Sequence, residues 1–224
     1  LNAWLAEQPL VLANQDLRIV HAAWLPESLA TLEAAVGEDL IAQYRRYDDE
    51  LVHALQTASW YGDYLREQEK HAEALENADM PPPPMPATAQ YELARSRLHP
   101  IRALTSGAEV IAPAPFYAGG RWRYTARSAW WSDYRERVPV LVGHYWRHWY
   151  PRDADPTREN LMPPQNNAWH GAAHNVFCID YSVGARWRDR KAGIAPAHSE
   201  FRLAAMRWPE RVLVFDDGET AATV

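Results

Sequence analysis

Two histidines stand in matching contexts in this 224-residue chain. Leu17-Arg18-Ile19-Val20 leads into His21, and Val138-Pro139-Val140-Leu141-Val142 leads through Gly143 into His144. Each preceding run is rich in β-branched residues and reads as a short strand, the second as a buried one. Gly143 reads as the point where the chain bends without steric penalty. A neutral imidazole fixed at the tip of a strand is aimed from a rigid base, so it can ligate a divalent ion or handle a proton.

Other residues offer weaker chemistry. His170 and His174 lie four apart, the zinc-ligand spacing on a helix, but Gly171 stands where a metalloprotease signature carries glutamate. A loop is the expectation there, with a zinc hydrolase kept as a third reading. The single Cys178 lies in an apolar run and reads as a small buried hydrophobe. Arginine is dense between Arg121 and Arg137 and again between Arg186 and Arg190, which leaves local anion binding open. The tryptophans at 122, 130, 131, 146, 149 and 169 either wall a pocket or, for most of them, fill a core.

The Val20-His21-Ala22 and Gly143-His144 motifs resemble the last two metal-ligand motifs of the calcineurin-like metallophosphoesterases, in the branch holding Ser/Thr phosphatases and diadenosine tetraphosphatases. Asn175–Gly184 is similar to the strand and turn that come next in that family, and Phe201–Arg207 resembles the strand after it. The resemblance implies two divalent metal ions (Mn, Fe or Zn), with His21 and His144 on one of them. It implies an arginine between the histidine motifs on the substrate phosphate, either Arg123 or Arg127, with Arg147 a lesser candidate. It implies Asp180 and Tyr181 beside the ligands, with Asp180 orienting a histidine. The family's DxH, GDxxD and GNHE motifs belong upstream of His21, where only twenty residues stand, and none of the three is present. The reading is therefore a fragment of a two-metal phosphoesterase, without catalytic residues of its own and inactive alone. Its substrate would be a phosphoprotein or a phosphorylated small molecule. The alternative is a non-enzymatic, Trp-rich binding module whose histidines are structural.

Several elements must position these residues. Leu1–Glu7 reads as the end of a helix, and strands near Leu10–Leu12 and Arg18–His21 flank an Asn14-Gln15-Asp16 turn. A short helix starts at Pro26-Glu27-Ser28, carries Leu29, Leu32 and Val36, and ends at Gly37. Leu40, Tyr44, Tyr47, Leu51 and Leu55 set a helical period in a stretch reaching Asn77, kinked or split at Gly62. Pro81–Pro84 and Pro86 make a stiff connector, Tyr91–Leu98 a further helix, and 103–120 a loop with brief strands. A long polar loop spans Tyr150–His174, and strands at Val176–Tyr181, Phe201–Trp208 and Arg211–Phe215 close the chain.

The fold expected is α/β: the C-terminal half of a four-layer α/β/β/α metallophosphoesterase sandwich with a helical insertion. Residues 1–27 and 99–224 would form one mixed sheet from strands at 10–23, 139–145, 176–182, 201–208 and 211–216. Residues 28–98 would form the insertion or cap. The net charge of −6 gives no basic footprint for a nucleic-acid polymer. No apolar run approaches the roughly 18 residues that span a bilayer, so no membrane partner is expected and a cytoplasmic protein is the default.

Overall fold

A computed structural model describes residues 4, 7–35, 39–150, 161 and 166–224. Val36 and Gly37, most of the Leu1–Glu7 helix, and residues 151–160 and 162–165 of the long polar loop lie outside the described residues. In chain order the strands and helices begin with β1 (Val11–Ala13), β2 (Arg18–Val20), α1 (Pro26–Glu33), α2 (Leu40–Thr57) and α3 (Tyr61–Lys70). Then come α4 (Ala72–Glu76), α5 (Pro86–Arg97), α6 (Pro100–Ser106), β3 (Glu109–Ala118) and β4 (Arg121–Arg127). The chain ends with β5 (Val140–Val142), β6 (Val176–Cys178), α7 (Arg186–Lys191), β7 (Ala204–Arg207), β8 (Val212–Phe215) and β9 (Thr220–Ala222). The chain is mixed α/β and divides into two compact units: Leu1–Leu10 with Ala23–Ser128, and Val11–Ala22 with Ala129–Val224.

The first unit is a helical body carrying a β-hairpin. The long helical stretch breaks at Ala58, whose backbone is extended, and Gly62 lies inside α3. Helix α5 begins at Pro86, five residues earlier than its apolar pattern announces. The Glu67 carboxylate, from α3, accepts the backbone N–H groups of Ala87 (3.2 Å) and Thr88 (2.7 Å), so its cap comes from a distant part of the chain. Residues 103–120 are not loop: they hold the end of α6 and the ten-residue β3. Pro113 and Pro115 conceal that strand in the sequence. Neither can donate to a ladder, and the β3–β4 register shifts between Ile111 and Phe116 to pass them.

This hairpin belongs with the helices rather than with the histidine strands, which moves the division from residue 98 to Ser128. Glu92 of α5 accepts from the backbone N–H of Tyr124 (2.8 Å) and Thr125 (3.1 Å) on β4. Tyr124 packs with Leu75, Met85 and Ala89. His99, which shows no motif in the sequence, is fully buried: Nδ1 accepts from the N–H of Arg102, and Nε2 faces the carbonyl of Tyr44 at 3.3 Å.

The second unit stacks two sheets. The four-stranded one runs β1-β2-β5-β6, with β1 antiparallel at its edge and β2, β5 and β6 parallel. Its strands Val140–Val142, inside the sheet, and Val176–Cys178, at the edge opposite β1, are buried throughout, as a parallel sheet covered on both faces requires. The strands at 201–208 and 211–216 do not extend this sheet. They shorten to β7 and β8 and, with β9, make a separate antiparallel meander. The reason lies in the alternation of Val212–Phe215. Leu213 and Phe215 point into one core with Leu141, Phe177, Trp169 and Tyr181, so the meander lies face to face on the first sheet.

Candidate functional site

Parallel pairing puts the carboxyl ends of β2, β5 and β6 at one end of their sheet, where open α/β sheets bind ligands. His21 comes directly after β2, Gly143-His144 after β5, and Asp180 lies two residues past β6. The imidazoles of His21 and His144 meet there, ring centroids 5.5 Å apart and inclined at 67°. His21 is exposed and His144 half-buried, so the pair is open to solvent from one side and held from the other.

The turn that presents His144 is strained in an unexpected place. Glycine type alone points to Gly143 as the bending residue, but the left-handed backbone sits on His144 (φ 69°) and Trp146 (φ 44°). Histidine tolerates that region better than most residues; for tryptophan it is an outlier. Such conformations persist where neighbours fix them, commonly at functional sites. Here the N–H of Gly143 donates to the carbonyl of His21 (2.9 Å), and that of Tyr145 to the carbonyl of Gly143 (2.8 Å).

Trp130 joins both histidine turns. Its indole N–H lies 3.1 Å from the carbonyl of Ala22, the residue after His21, and 3.1 Å from the hydroxyl of Tyr145, the residue after His144. Trp131 packs edge-on to Tyr145. In the sequence these residues are legible only as two members of a tryptophan-rich chain. Their signal there is Trp130-Trp131 shortly before the strand, with no role attached.

The other expected site residues are divided between the two units. Arg123 and Arg127 lie on β4 in the first unit, where the Nε of Arg123 faces the carbonyl of Ala118 within its hairpin. Asp180 stays near the turn: a Cβ on Gly143 would sit 3.6 Å from the His21 carbonyl and 3.8 Å from Asp180 Cβ. Its Oδ1 accepts from the N–H of Ser182, a local turn contact. Tyr181 is a core residue. It is buried between Trp149 and Phe215, its hydroxyl donates to the carbonyl of Asn166 (2.6 Å), and burial raises its pKa. Arg147 is buried too, donating to the carbonyl of Cys178 and lying over the Phe177 and Tyr181 rings. Desolvation lowers its pKa. The Cys178 thiol is fully buried, and burial pushes it up to about 11, so the thiolate is suppressed.

His170 and His174 do not share a helix face. They bracket a turn in which Gly171 adopts φ 83° and His174 φ 49°. Gly171 is glycine because a Cβ would come 2.5 Å from the carbonyl oxygen of Trp131. His170 is buried against Phe177, with neither ring nitrogen hydrogen-bonded, and desolvation followed by the charge of Arg147 lowers its pKa to about 4.

Two neutral imidazoles are suitable donors for a divalent transition ion. Among the described residues, however, no group of three or more His, Cys, Asp or Glu side chains is placed to hold one. The pair supplies part of a donor set, which by itself does not fit a two-metal centre. Comparisons with protein-family models, curated proteins and solved structures find no match to this chain.

Proposed function

We propose that this chain contributes to a metal-dependent phosphoesterase, acting on a phosphoprotein or a nucleotide-like phosphate ester, with His21 and His144 as a paired imidazole contribution to one ion. The observation that carries the reading is their convergence: 123 residues apart in sequence, from 144 − 21, the two rings lie 5.5 Å apart at the carboxyl ends of neighbouring parallel strands. The four-layer sandwich belongs to the same proposal. No catalytic step is assigned to these residues, because the donors needed to bridge a hydroxide and protonate a leaving group are not among them.

The test is hydrolysis of nitrophenyl phosphate with added manganese by the natural protein that carries this sequence. His21→Ala and His144→Ala should each lower turnover by about 100-fold or more, with the melting temperature unchanged. Residues 1–224 alone should turn over little. Full activity in both variants contradicts the assignment, and robust turnover by the 224-residue chain contradicts the incomplete donor set.

One observation favours a second reading. The pair lacks a third donor among the described residues, as expected of a Trp-rich binding module whose histidines are structural. That reading expects no metal-dependent hydrolysis from the natural protein at all.

A further inference from the structure

The segment from α7 to Ser199 is the most solvent-facing continuous stretch among the described residues of the second unit. From Trp187 to His198 every residue but Asp189 is exposed. The arginine-dense run at 186–190 divides by role here. Arg186 is committed to the fold, donating to the carbonyl of Phe201 and to both carboxylate oxygens of Asp216. Asp189 is also committed, through the hydroxyl of Ser199. Arg188, Arg190 and Lys191 have no ion-pair partner among the described residues. Arg188 and Lys191 instead lie over the indole of Trp187, 5.7 and 4.6 Å from its ring centroid.

The run just past these cations is more unusual. Ala192-Gly193-Ile194-Ala195-Pro196-Ala197 is six consecutive exposed residues without a charge or a hydrogen-bonding side chain. Gly193 (φ 74°) turns the chain back, and the N–H of Ile194 donates to the carbonyl of Asp189, so the run is folded rather than trailing. Trp187 is 45% exposed and Ile194 41%. Trp146, also exposed, has its indole beside Gly184, two residues before α7 begins. A run of exposed apolar residues of this length is a liability on a surface that meets only water.

We propose that this excursion is a membrane-surface docking site for anionic phospholipid: Trp187, Ile194 and the uncharged run enter the headgroup region, while Arg188, Arg190 and Lys191 face the lipid phosphates and carboxylates. Charge complementarity demands an anionic partner, and the apolar run selects among anionic partners. An acidic peptide matches the three cations but leaves Ala192–Ala197 unpartnered. A single-stranded nucleic acid would use the cations and the Trp187 ring but likewise leaves Ala192–Ala197 unpartnered. A bilayer surface supplies anions and an apolar phase a few ångströms apart, the arrangement that interfacial helices and basic clusters exploit. No described helix is long and apolar enough to cross a membrane, and surface docking needs none. The expectation of no membrane partner rests on the lack of a spanning segment, which does not report a local surface.

The experiment is flotation of the 224-residue chain with vesicles of pure phosphatidylcholine and with vesicles containing phosphatidylserine, at low and raised salt. Binding should be confined to the phosphatidylserine vesicles and should weaken as salt rises. The triple substitution Arg188→Gln, Arg190→Gln, Lys191→Gln should lower it about tenfold or more, and so should Trp187→Ser with Ile194→Ser. Circular dichroism of each variant checks that the fold is intact. Absence of binding, equal binding to both vesicle types, or binding that both folded variants retain overturns the proposal. So does tighter binding to oligo-dT or polyglutamate than to the anionic vesicles.

Discussion

His99 and His170 show how differently two buried imidazoles can be treated. His99 has a backbone partner at each nitrogen, Arg102 N–H on one side and the Tyr44 carbonyl on the other. His170 has none and shares its surroundings with the buried Arg147. Both pKa values are lowered, led in each case by desolvation, and that of His170 falls to about 4. The unfolded chain binds a proton near pH 6.5, which the folded chain refuses until much lower pH. Stability is therefore complete above about pH 6.5 and declines as pH falls towards 4. The loss assigned to His170 is roughly 3 kcal/mol. Denaturant unfolding of wild type and His170→Phe between pH 7 and 4 should show the variant losing less stability, by about that amount. Parallel pH profiles would show that His170 is not the group responsible.

Among the elements, α5 illustrates what local sequence conceals. Its first turn is Pro86-Ala87-Thr88, which carries no capping side chain ahead of it; the cap is Glu67, on α3. Glu67→Ala should cost about 1 kcal/mol, measured by thermal or urea unfolding, because it leaves two helix-end N–H groups without an acceptor. Glu67→Gln keeps an acceptor and should cost less. Gly171 makes the same point for a turn. A methyl group at 2.5 Å from the Trp131 carbonyl, with φ at 83°, forces the backbone to move. Gly171→Ala should therefore destabilise by roughly 2 kcal/mol or more. A melting temperature unchanged from wild type would show that the turn does not need glycine.

For the molecule as a whole, the features legible in the sequence are those that repeat locally. The histidine strands, the Asn14 turn and the helical period from Leu40 to Leu55 all appear, because hydrophobic alternation and turn chemistry are encoded within a few residues. Partnerships between distant segments are not readable there. Nothing near Pro113 announces a strand whose ladder skips two prolines, and nothing near Val212 says that its hairpin stacks on the first sheet instead of widening it. The candidate site divides in the same way. Its two imidazoles are legible because each sits at a strand end, whereas the role of Trp130, which touches both turns, depends on the fold. Tyr181 and Arg147 carry suggestive residue types, yet burial assigns them to the core.

The central claim is that the two strand-end rings act together towards a cation. Calorimetric titration of the 224-residue chain with zinc, beside His21→Ala, His144→Ala and the double variant, measures this directly. Wild type should bind one ion per chain, weakly. Loss should be equally complete in either single variant, with no further loss in the double, since neither imidazole holds an ion alone. Zinc binding of unchanged strength in either single variant, or none in the wild type, would contradict it.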